Sequence, residues 1–84
     1  MSQPQSRPHT VVVFTAPGCG ACHRELEYLS QRGISFTERN VGTDPEALRE
    51  LVNLGSQGTP TTLIDEQVVI GFDRERLNQL LGLS

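Results

Sequence analysis

A chain of 84 residues, 36% apolar and 5% aromatic, suffices for one small folded domain and is too apolar to stay disordered. Its net charge of −3, with no block of like charge, offers no grip for nucleic acid or an anionic membrane. No stretch reaches membrane-spanning length and the opening residues lack a signal peptide's apolar run, so a cytoplasmic monomer is expected.

Residues 1–8 are polar and carry two prolines; they read as a flexible lead-in, and residues 9–84 as the domain. Thr10 to Thr15 is a continuous β-branched and aromatic run ended by Pro17-Gly18, which predicts a buried strand. From about Gly20 to Arg32 the spacing turns helical. Cys22, Leu26 and Leu29 share one face, Arg24, Glu25, Glu27 and Gln31 fall elsewhere, and Gly33 closes the helix. Ile34 to Val41 reads as a second, more polar strand. Asp44 caps the next helix in preference to Thr43, because Pro45 pushes Asp44 out of helical angles. The apolar face of that helix is Ala47, Leu48, Leu51, Val52 and Leu54, and Gly55 ends it. After a loop to Pro60, Thr61–Asp65 and Gln67–Ile70 form a hairpin around Asp65-Glu66. Asp73 caps a last helix that runs through Leu77, Leu80 and Leu81 to Gly82. The order β-α-β-α-β-β-α predicts an α/β domain with a mixed four-stranded sheet flanked by helices. Two parallel strands are joined by a right-handed crossover, and the hairpin is antiparallel.

The chemistry concentrates in Cys19-Gly20-Ala21-Cys22, which holds the only two cysteines and sits where a strand gives way to a helix. Cysteines so spaced at a helix start fall within the ~4.4–6.8 Å Cα separation that a disulfide needs. Cys19, at the mouth of the first turn, meets free amide N–H groups and the positive end of the helix dipole, which favour its thiolate. Cys22 lies one turn inside and stays protonated until used. Cys19 is therefore the attacking thiol and Cys22 the resolving one. A structural staple is disfavoured, since closing so short a loop yields only about 2 kcal/mol. A zinc site would have to recruit His9 and His23, and His9 lies before the far end of the first strand, so no metal is expected.

With Thr15-Ala16-Pro17-Gly18-Cys19-Gly20-Ala21-Cys22, Gly58-Thr59-Pro60 and Gly71-Phe72-Asp73 taken together, residues 9–82 resemble a glutaredoxin. The resemblance implies the thioredoxin-like (glutaredoxin) fold and a thiol–disulfide oxidoreductase. It implies a cis bond before Pro60, which brings the Thr59 backbone against the cysteines to pair with an extended substrate. Pro17, Gly18, Thr59, Pro60, Gly71, Phe72 and Asp73 are the implied substrate-binding residues.

The departures bear on the electron donor. Glutathione-binding glutaredoxins carry a lysine three residues before the first cysteine and an aromatic before the second; here these are Ala16 and Ala21, and the chain contains no lysine. The family's Gly-Gly-Asp turn reads Gly71-Phe72-Asp73. In these respects the chain is similar to NrdH-type redoxins and to glutaredoxin-like proteins with a Gly-Phe-Asp turn. NrdH-type redoxins pass electrons from thioredoxin reductase to ribonucleotide reductase. The tryptophan and serine they carry before Gly-Phe are replaced here by Val69 and Ile70. A thioredoxin proper is disfavoured, because no tryptophan precedes Cys19 and the first strand has no acidic residue to act as a buried base. The expectation is an electron carrier that reduces protein disulfides, binds no cofactor and is re-reduced by a thioredoxin-reductase-type flavoprotein. The alternatives are a glutathione-dependent glutaredoxin and an iron–sulfur cluster shared by two chains through Cys19.

Overall fold

The computed structural model describes residues 9–83; the expected lead-in, residues 1–8, lies outside them, as does Ser84. The elements are β1 (Val11–Thr15), α1 (Gly20–Gln31), β2 (Thr37–Asn40), α2 (Pro45–Asn53), β3 (Thr61–Ile64), β4 (Gln67–Ile70) and α3 (Arg74–Leu81). They build the mixed α/β sheet that the sequence predicts, in the order β2-β1-β3-β4. β1 runs parallel to β2, with Val12 opposite Thr37, and antiparallel to β3, with Val13 opposite Thr62; β3 and β4 form the antiparallel hairpin.

Two apolar layers cover the sheet. Val11, Val13, Tyr28, Leu29, Ile64, Val69, Leu77 and Leu81 form the larger cluster, and Phe14, Ala47 and Leu51 the smaller. The alternation of β1 explains the division, since neighbouring strand residues point to opposite faces: Val11 and Val13 belong to one layer and Phe14 to the other.

Local signals set the helix ends. Asp44 accepts from the amides of Glu46 and Ala47 with Pro45 in the first turn, and Asp73 accepts from the amide of Arg76, so both aspartates cap as predicted.

The second strand is shorter than the predicted Ile34–Val41. The Ile34 amide donates to the Leu29 carbonyl at 3.0 Å, and Gly33 turns left-handed at φ 72°, so Ile34 finishes α1 instead of joining the sheet. Ile34 and Phe36 still pack on the larger cluster from outside the ladder. The apolar face of α2 is also narrower than predicted. Ala47 and Leu51 are buried, whereas Leu48 and Val52 are 46% and 58% exposed. A short helix lying on one face of a sheet buries a single stripe, and positions 48 and 52 lie to its side.

Candidate active site

Cys19 has extended backbone angles and opens α1 as its N-cap, its sulfur accepting from the Cys22 amide at 3.1 Å. A sulfur thus fills the place usually taken by a hydroxyl or carboxylate. Cys19 is half-buried and Cys22 is 3% exposed. The two are joined in a disulfide, with Cα atoms 5.2 Å apart. The more accessible sulfur is the one at the helix mouth, where amide donors and the helix dipole favour a thiolate.

The residues that the resemblance placed around the cysteines are only partly brought together. The Thr59–Pro60 bond is cis, and the Thr59 carbonyl lies 3.7 Å from Cys19 Sγ. The Thr59 hydroxyl donates to the same sulfur at 3.7 Å. Thr59 precedes the paired register of β3, which begins at Thr61. Pro60 is buried, and its carbonyl accepts from the Gly71 amide at 2.8 Å, which holds the turn after β4 beside it. Within that turn, Phe72 does not line the cleft around Cys19. Its ring packs edge-on against Tyr28, with centroids 5.7 Å apart, and Asp73 is engaged in capping α3.

On the other side of Cys19, Pro17 and Gly18 are exposed, and Gly18 takes φ 71°, a left-handed angle open to glycine at little cost. The Pro17 ring lies on Gly42, where an added Cβ would be 2.4 Å from Pro17 Cδ. Gly42 therefore lets the loop before α2 seat the loop that carries the cysteines. Nothing in the sequence but the presence of a glycine pointed to it.

A cleft of about 580 Å³ opens around Cys19, lined among others by Ala16, Gly18, His23, Arg24 and Glu38. His23 is exposed on α1. His9 pairs with Asp65 at 2.9 Å, at the opposite end of β1, and so is not brought to the cysteines. A second, smaller groove adjoins the first through Arg24 and runs over Tyr28 to Phe72. There the guanidinium groups of Arg32 and Arg74 stand 4.1 and 5.0 Å from the Tyr28 ring centroid.

Glu25 overturns its predicted position on an outer helical face, since it is fully buried. The stripe of α1 that meets the sheet contains Cys22, Glu25, Tyr28 and Leu29, with Leu26 half-buried at its margin. A stripe through 22, 25 and 29 fits the helical period as well as one through 22, 26 and 29, so only packing decides between them. Thr62 on β3 donates a hydrogen bond to Glu25 Oε2, and Oε1 has no partner among the described residues. Burial pushes the Glu25 carboxyl above its ordinary value, and the Thr62 hydroxyl opposes that shift.

The glutaredoxin family model matches residues 11–69. The chain belongs to the glutaredoxin family. This glutaredoxin is 29% identical, over 72 residues, to an uncharacterised glutaredoxin-like 8.6 kDa protein in the rubredoxin operon of Clostridium pasteurianum, covering 84% of the chain and 96% of that protein. Among solved structures it matches the thioredoxin-like protein BC3987 with a TM-score of 0.82 and 36% identity, over 84% of this chain and 99% of that one. It also matches the NrdH-redoxin of Escherichia coli, described as a glutaredoxin-like protein with a thioredoxin-like activity profile. That TM-score is 0.77 with 27% identity, over 84% of this chain and 93% of the other. The fold is thus that of the thioredoxin superfamily, carrying a CxxC-spaced cysteine pair closed as a disulfide. No helix among the described residues is long and apolar enough to cross a membrane.

Proposed function

We propose that this glutaredoxin is a dithiol electron carrier that reduces protein disulfides and is itself re-reduced by a thioredoxin-reductase-type flavoprotein. The observation that carries this reading is the unequal placement of the two sulfurs. Cys19 stands half-buried at the mouth of α1 against Thr59, and Cys22 is buried behind it within bonding distance. Such a pair divides the work. The Cys19 thiolate attacks one sulfur of a substrate disulfide, forms a mixed disulfide and expels the other as a thiolate. The Cys22 sulfur then attacks Cys19, and the second substrate thiolate leaves. The Thr59 backbone, outside the sheet ladder, is the edge against which an extended substrate segment pairs, with Pro17 and Gly18 before Cys19 as further substrate contacts.

The choice of reductant is supported by the residues at positions 16 and 21 and by Asp73. Ala16 and Ala21 supply neither a cation nor a ring for a small tripeptide thiol, and Asp73 is engaged at the start of α3. The similarity to NrdH-redoxin supports the flavoprotein and makes ribonucleotide reductase the first substrate to try. An NADPH-coupled assay with insulin as the disulfide tests the proposal. Turnover is expected with thioredoxin reductase, and little with glutathione plus glutathione reductase. Efficient turnover with glutathione alone would overturn the choice of donor, and none with either would overturn the carrier role.

A further inference from the structure

Glu25 is a buried carboxyl that the two-cysteine cycle leaves unused. It lies three residues after Cys22 on α1, and both face the sheet. Long helical side chains lean back toward the helix N-terminus, over the turn that precedes them. For Glu25 that turn carries Cys22. The receiving strand agrees, because Thr62, whose hydroxyl holds Glu25 Oε2, stands two residues beyond Pro60 on the same face of β3. The carboxyl is therefore held between α1 and β3, on the buried face of α1 that also carries Cys22.

With Thr62 donating to Oε2, a proton on this carboxyl sits on Oε1, the oxygen without a partner. A buried donor left without an acceptor is costly and calls for explanation. In this structure the Cys22 sulfur is tied up in the disulfide; once that bond opens, it becomes a thiolate that needs a proton. His23 and Glu38 also line the cleft that Cys22 borders, but both are exposed to solvent, and Glu25 is the one buried carboxyl among the described residues. Apart from Glu25, the titratable groups among the buried described residues are Cys22 and Tyr28, and the Tyr28 hydroxyl is engaged with Asn78 of α3. β3 presents the Thr62 hydroxyl, β1 Val13 and Thr15, and α3 Leu77, none of them titratable; Thr15 donates instead to Glu38 of β2. Arg24, His23 and Glu27 lie on the exposed side of α1, and Arg74 and Arg76 on that of α3.

We infer that Glu25 is the proton acceptor and donor for Cys22, an inference that rests on the electron-carrier reading above. When a mixed disulfide on Cys19 is resolved, the Glu25 carboxylate takes the Cys22 proton as the Cys22 sulfur attacks Cys19. The Cys19–Cys22 bond forms, the bond from Cys19 to the substrate breaks, and the substrate sulfur leaves with the electron pair. When a reductant thiolate attacks Cys19 in the oxidised protein, Cys22 leaves with the electron pair and receives the Glu25 proton. Transfer is direct or through one water. Burial raises the carboxyl's affinity for its proton above the ordinary glutamate value, toward that of a thiol.

The test uses a chromogenic aromatic disulfide, 5,5′-dithiobis(2-nitrobenzoic acid), against the reduced protein in stopped flow. The first thiolate released reads the attack by Cys19, and the second reads resolution by Cys22. Glu25→Gln is expected to leave the first release within about twofold of wild type and to slow the second about a hundredfold. The second release should then rise with pH throughout, whereas wild type levels off once the carboxyl is ionised. Equal second-release rates and pH profiles in both proteins would overturn the inference and leave the electron carrier standing; absence of the first release from wild type would overturn the carrier reading itself. Should Glu25→Gln not fold, isotope-edited infrared spectra of wild type decide. The oxidised protein should show a neutral carboxylic C=O band that persists above the ordinary glutamate value of 4.5 and changes on reduction, and a band indifferent to redox state overturns the inference.

Discussion

The sulfur of Cys19 lies 3.7 Å from the carbonyl oxygen of Thr59, forty residues further along the chain. That approach joins the helix mouth to the start of β3 and sets the proposed attacking sulfur beside the proposed docking backbone. Because Cys22 sits behind that sulfur, Cys22→Ser should leave Cys19 able to attack but unable to be resolved. A stable mixed disulfide between Cys19 and its substrate is expected by mass spectrometry, and none is expected with Cys19→Ser. Trapping on Cys22 in the second variant would reverse the assigned roles.

Gly42 and Pro17 are in contact so close that an added methyl has nowhere to go, with 2.4 Å to a ring carbon held by its own backbone. Gly42→Ala is expected to cost about 1–3 kcal/mol, as overpacking does. At roughly 4–8 °C per kcal/mol for a domain of this size, the loss is visible in a thermal melt. Alkylation of Cys19 should change in the same variant, since Pro17 carries the loop before it. An unchanged melting temperature would mean that the loop yields freely.

Glu25 bends the pH dependence of stability in an unusual direction. Its ordinary value is 4.5, and burial raises it in the folded protein. Below that ordinary value both states hold the proton and the folded state is at full advantage. As pH rises toward the folded value, the unfolded chain releases its proton first and stability falls. Urea unfolding from about pH 4 to 8 should show this decline in oxidised wild type and a shallower one in Glu25→Gln.

Asp44 acts in the opposite sense. The Ala47 amide foremost, then the Glu46 amide and Arg39, hold its carboxyl below the ordinary value of 3.8. Its contribution is present above that value and is lost as pH falls through the lowered folded value. Asp44→Ala should lower the melting temperature at neutral pH, by a margin that closes in strong acid. Circular dichroism melts at several pH values check it.

Phe72 stands against Tyr28 and outside the cleft around Cys19. Phe72→Ala is expected to destabilise the domain by removing the ring pair, worth about 0.5–1.5 kcal/mol beyond its buried area. The alkylation rate of Cys19 should not change. A normal melt with impaired transfer to protein disulfides would instead assign the ring to partner contact.

Much of the fold was legible because the signals involved are local. The β-branched run at Val11–Thr15, the aspartate caps at 44 and 73 and the glycines at 33, 55 and 82 each constrain a few neighbouring residues, and the elements follow from them. The cysteine pair was legible for the same reason, since its spacing and its place at a helix start are sequence properties. What the chain order left open concerned contacts between elements. Ile34 could have entered β2, and a backbone bond to Leu29 kept it with α1. Leu48 and Val52 are as apolar as Leu51, but the sheet meets only one stripe of α2. Glu25 and Leu26 lie on adjoining helical positions, and residue type favours burying the leucine. Packing against β3 buried the glutamate instead, because Thr62 supplies a hydroxyl where the carboxyl arrives. Local patterns in the chain were enough for the elements and the cysteine pair; packing chose Glu25 over Leu26 for burial and brought Thr59, Pro60 and Gly42 to the loop and helix mouth that carry the pair, because contacts between elements depend on parts of the chain far apart.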